Sequence, residues 1–126
     1  MKTLIKINSE PTKRSLSDNE RMALESFGDA IRTSKGLPGQ LISQANYEWG
    51  MVYLRAGHLF EAKMKFQEVL DSPGADHNLK AYAQLLNLHN WDQDHDAALR
   101  VLEKIVELEP SAKANCAQIK ADIYGK

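Results

Sequence analysis

The densest chemistry in the chain is a run of ionisable side chains at Asp92, Asp94, His95 and Asp96, with His89 just before it. Alternating aspartates open a calcium loop, where every second carboxylate turns an oxygen toward one ion. The motif is incomplete, because Ala97 occupies the sixth position, where such a loop needs glycine to turn sharply. Acids ahead of a helix complement the positive end of its dipole, and that capping role is the expectation for this cluster. Cys116 is the only cysteine, with no Cys or His at a ligand spacing and no base to activate it, and it sits on an apolar stripe. A small buried hydrophobe is therefore expected there. His58 and His77 fall in or beside turns and are expected to be solvated. No Gly-rich loop precedes a helix with a phosphate-binding lysine. These residues assemble no active site, so the expectation is a non-enzyme with no metal and no cofactor.

The chain has 126 residues, 43% hydrophobic and 26% charged, which suits one soluble globular domain. Sixteen Lys+Arg against seventeen Asp+Glu give a net charge of −1, so no basic footprint for nucleic acid or anionic membrane exists. A lone cysteine excludes a disulfide scaffold and fits a reducing interior. The apolar stretch Leu4, Ile5, Ile7 is broken at Lys6, too short for a signal peptide, and no run approaches a membrane span. A cytoplasmic location is expected.

Residues 1–17 read as an extended arm or short strand, basic through Lys2, Lys6, Lys13 and Arg14, with Pro11 opposing helix. Ser17 lies three residues before Glu20, the spacing of a capping box, and Ala23, Phe27, Ala30 and Ile31 then share a helical face. A helix over 18–34 follows, ended by Gly36, Pro38 and Gly39. Apolar spacing predicts further helices over 40–56, 59–70, 77–89, 94–109 and 111–124, that over 59–70 closed by Pro73 and Gly74. Trp91 at a turn is either an exposed interface anchor or an aromatic tucked under a hairpin. Six helices with short connections predict an all-α fold of antiparallel hairpins.

One stretch is more specific. Trp49, Gly50, Tyr53, Gly57, Ala62, Phe66 and Pro73 stand at the offsets of a tetratricopeptide repeat, which this segment resembles. Gly50 and Ala62 would sit where the two helices approach most closely, Tyr53 and Phe66 would fill the hollows beside them, and Gly57 would cap the first helix. Asn46 departs from the family, which usually carries Trp there. A degenerate copy follows, in either of two registers: Ala97 lies 35 residues after Ala62, or one residue later Leu85, Ala98, Leu102 and Val106 take over the positions. The resemblance implies a short stack of hairpins over 18–126 with a polar-backed closing helix.

Tetratricopeptide-like proteins generally bind other proteins in a groove lined by the first helix of each pair. The resemblance implies Gln44, Tyr47, Met51, Leu54 and Arg55 as groove residues here, with Leu79, Tyr82, Leu86, His89 and Asn90 from the next helix. Tyr47, Met51 and Tyr82 depart from the Lys and Asn of family members that clamp a terminal carboxylate. An apolar groove bordered by Arg55 and His89 suits an amphipathic helix or an extended apolar segment. The arm's own Leu4, Ile5 and Ile7 could plug the same groove or pair with a partner. The expected function is a non-enzymatic adaptor, chaperone or inhibitor that binds a protein or peptide segment. The alternative is a structural subunit that self-associates or docks into a larger complex through its open repeat faces.

Overall fold

Ser17 starts the helical part of the chain by satisfying backbone groups that a helix leaves unpaired. Its side chain accepts from the Glu20 N–H at 3.1 Å, and the Glu20 carboxylate accepts from the Ser17 N–H at 2.8 Å. In the computed structural model, which describes residues 5–33, 39–72 and 77–125, this box opens α1 (Asp18–Arg32). There follow α2 (Gly39–Arg55), α3 (Leu59–Asp71), α4 (Asn78–Trp91), α5 (His95–Leu108) and, after a 3-10 turn at Pro110–Ala112, α6 (Lys113–Tyr124). The fold is all-α, and among the described residues no strand forms; 5–17 is irregular backbone. Leu4, the expected breaks at Gly36, Pro38, Pro73 and Gly74, and the terminal Lys126 lie outside the described residues. The chain divides into two compact units, Pro11–Ala81 on one side and Met1–Glu10 with Tyr82–Lys126 on the other.

In the unit Pro11–Ala81, α2 packs on both α1 and α3. Glycine at position 50 lets α2 and α3 approach, since a Cβ there would stand 2.8 Å from the Phe66 ring. Phe66, Ala62 and Val69 of α3 are fully buried. The Lys65 ammonium lies 3.4 Å from the centre of the Trp49 ring and pairs with Glu68 at 3.0 Å. Gly57, at φ +76°, ends α2 with two reversed bonds: its N–H donates to Leu54 C=O and the His58 N–H donates to Tyr53 C=O. The segment before α1 closes over this turn. The Arg14 N–H donates to Ala56 C=O at 2.8 Å, and His58 Nε2 meets Arg14 C=O at 2.7 Å. His58, expected in solvent, is instead held by the main chain at residue 14.

Arg14 also grips Glu20 with both guanidinium arms, at 2.7 and 2.9 Å. These bonds, with the Ser17 N–H, hold the Glu20 carboxyl down to about 2 from an ordinary value of 4.5. A carboxyl depressed in the folded state adds stability that is complete above its unfolded value and fades as pH falls toward the folded one. Glu20→Gln is therefore expected to flatten the rise of the urea midpoint with pH between about 2 and 5, compared with wild type.

The other unit repeats the turn. At the end of α4, Gln93 at φ 57° occupies the left-handed position; its N–H donates to Asn90 C=O and the Asp94 N–H donates to His89 C=O. Gln93 lies 36 residues after Gly57, and at the same offset from Ala62 and Phe66 stand the buried Ala98 and Leu102, next to the likewise buried Ala97 and Val101. Asp94 then caps α5, its carboxylate accepting from the Ala97 N–H at 3.2 Å, as expected of the acidic cluster. Ala98, Val101, Leu102 and Ile105 form the buried stripe of α5, which packs on α6 through a face containing the buried Cys116, Ile119 and Ile123. A glutamine in the left-handed region carries a steric cost that glycine lacks. Gln93→Gly is expected to stabilise the protein by about 0.5–1 kcal/mol, read as a raised urea midpoint at unchanged slope.

Candidate functional site

Asn87 is a poor helix former set between leucines in the middle of α4, and it is only 2% exposed. A buried amide needs partners. One comes from its own helix, where Nδ2 donates to Ala83 C=O at 3.1 Å and so fixes the side chain. The others are main-chain groups of the N-terminal arm. Asn87 Nδ2 donates to Lys6 C=O at 3.1 Å, and Asn87 Oδ1 accepts from the Asn8 N–H at 2.6 Å, so one amide brackets residue 7. One turn along α4, Trp91 Nε1 donates to Asn8 C=O at 2.7 Å. From α6, Asn115 Oδ1 accepts from the Ile5 N–H at 2.6 Å.

Three side chains on two helices thus hold four backbone groups of residues 5–8. Only Ile5, at 4% exposure, is buried; Lys6 through Glu10 are exposed. Burial of an isoleucine anchors the segment by about 1.5–3 kcal/mol before any hydrogen bond is counted. The chemistry is recognition of a peptide backbone plus one aliphatic side chain. Trp91 is therefore neither a free anchor nor simply tucked away: its indole N–H reads the arm.

The residues expected to line a groove are distributed over both units. In Pro11–Ala81, Gln44 and Arg55 are exposed, Tyr47, Met51 and Leu79 are half-buried, and Leu54 is buried. Tyr47 stands in a ring cluster, 5.6 Å from Phe66 and stacked on His77 at 6.4 Å, with the Lys80 ammonium 5.9 Å from its centre. In the other unit Tyr82 is half-buried, whereas Leu86, His89 and Asn90 are buried. Asn87, Trp91 and Asn115, all absent from the expected groove, are the residues that hold the arm. The available signal for Asn87 was a lone amide within Leu85, Leu86 and Leu88, a polar group whose burial requires a partner.

A separate, mainly apolar cleft of about 230 Å³ opens beside Cys116, its lining including Leu102, Val106, Ala117, Lys113 and Lys120. Burial pushes the Cys116 thiol up from its ordinary pKa, which suppresses the reactive thiolate. Among the described residues no group of three or more His, Cys, Asp or Glu is placed to hold a metal ion. Likewise no helix among them is long and apolar enough to cross a membrane. No protein-family model, no curated protein and no solved structure matches the chain.

Proposed function

We propose that the chain is a non-enzymatic protein-interaction module, tetratricopeptide-like in build, that binds an apolar or amphipathic segment of a partner protein on its helical faces. The carrying observation is the arm itself: Asn87, Trp91 and Asn115 hold four main-chain groups of a non-helical segment, which is the chemistry a peptide receptor requires. The tetratricopeptide-like build draws support from the two helix ends 36 residues apart, at Gly57 and Gln93, which share one turn geometry. A partner of this kind suits an adaptor, chaperone or inhibitor in the cytoplasm.

Affinity capture from the native source tests the reading, with wild type beside Asn87→Ala and beside Tyr47→Ala/Tyr82→Ala. A protein retained by wild type and released by a variant that keeps its helical circular dichroism supports it. The same set of proteins on every bait overturns it. A second reading, assembly through open faces, is favoured by Phe60 and Met64, one turn apart on α3 and 71% and 47% exposed. Association that rises with concentration and is lost in Phe60→Ser/Met64→Ser would support that reading instead.

A further inference from the structure

The arm uses its site in an unusual way for a structural strap. Its hydrogen bonds to Asn87, Trp91 and Asn115 engage main chain alone, and the side chains of residues 6–10 remain exposed. Such contacts specify an unpaired backbone, an aliphatic residue at the first position, and N–H groups at the first and fourth positions, which excludes proline from both. They do not specify this particular sequence.

The receptor side is built to stand without the arm, because Asn87 is oriented by Ala83 C=O of its own helix. The arm side is equally able to leave. Helix α1 starts only at Asp18 under its own cap, and the chain is next pinned at Arg14, through Ala56 and His58. We infer that the face formed by Asn87, Trp91 and Asn115 is a main-chain-reading peptide site, occupied in cis by residues 5–8, and that a partner's aliphatic, non-helical segment enters by displacing them. The inference rests on the reading of the chain as a protein-binding module.

The tether decides which competitor matters. Because the arm belongs to the same chain as its site, it competes intramolecularly, at an effective concentration on the order of mM. The arm of a second copy offers the same contacts without that advantage and loses the competition. A partner segment can win, because the side-chain positions that residues 6–10 leave exposed are open to additional contacts.

The test is fluorescence polarisation of a labelled peptide with the sequence of residues 3–10, titrated with the full-length chain. Ile5→Ser weakens the tethered arm without touching the receptor helices and is expected to tighten probe binding roughly tenfold relative to wild type. Asn8→Pro in the chain, which removes the N–H given to Asn87, should act in the same direction. The same proline placed in the probe should abolish its binding to the Ile5→Ser chain. Asn87→Ala, added to Ile5→Ser, should weaken the probe as well. Equal probe affinity for wild type and Ile5→Ser, no binding by either, or unimpaired binding of the proline probe would each overturn the inference. Wild-type dimers that dissociate on Ile5→Ser would assign the site to arm exchange between copies and overturn it too. These outcomes are separable from failure of the broader reading: a partner captured through Tyr47 and Tyr82, with a probe indifferent to the arm, removes this inference alone.

Discussion

Gly57→Ala is expected to destabilise the protein by about 2–4 kcal/mol, among the largest effects of any single methyl addition in the chain. Two costs coincide. At φ +76° an L side chain meets its own backbone, which costs about 1–2 kcal/mol. The added Cβ would also stand 2.5 Å from Lys13 Cα and 2.6 Å from Lys13 N, and these are backbone atoms that cannot rotate away. Residues 12–14 must then lift, and with them go the Arg14 N–H bond to Ala56 C=O and the contact of His58 with Arg14 C=O. The measurement is a urea midpoint at constant slope. Amide exchange at Arg14 gives a second readout, because it should accelerate in the variant while amides of α5 do not. A loss confined to about 1 kcal/mol, with Arg14 still protected, would show that the overlying segment adjusts and only the helix cap matters.

This turn also shows what the sequence could convey. Gly57 was readable as a cap because a glycine between two apolar helical patterns has few other roles. Gln93, in the same turn geometry 36 residues on, carries no such mark, because the left-handed position is imposed there by the surrounding turn and not by the residue type. Helix positions were legible within a residue or two, since 3.6-residue periodicity and the Ser17–Glu20 spacing are local signals. The docking of the arm was only half legible. Leu4, Ile5 and Ile7 announced an apolar segment in need of cover, but its receptors, Asn87 and Asn115, lie 79 or more residues away in sequence. Main-chain recognition leaves no complementary side-chain pattern on the ligand, and spacing rules cannot find it. The expected groove residues had the opposite problem. Leu54, Leu86 and His89 have the types of either a groove or a core, and only their burial distinguishes the two.

Phe66 carries the second large effect. Its ring is fully buried, lies 5.6 Å from the Tyr47 ring at 51°, and fills the space that Gly50 leaves on α2. Phe66→Ala should cost about 3–5 kcal/mol, the usual range for emptying a closed aromatic site. The more informative substitution is on the facing helix. Gly50→Ala gains about 1 kcal/mol of helix propensity, so on local grounds it should stabilise α2. Its Cβ, however, would lie 2.8 Å from Phe66 Cε1 and 3.0 Å from Cδ1, well inside contact distance. Overpacking of this kind costs about 1–3 kcal/mol, and the net expectation is a lower urea midpoint. Leucine at 66 lacks the ε carbon that makes the closest contact, so in a Phe66→Leu background Gly50→Ala should become neutral or stabilising. The two changes are expected to couple by about 1 kcal/mol or more in a double-mutant cycle. Strict additivity would mean that α2 and α3 separate freely to admit the methyl group, and the closeness of the hairpin would then owe nothing to glycine at position 50.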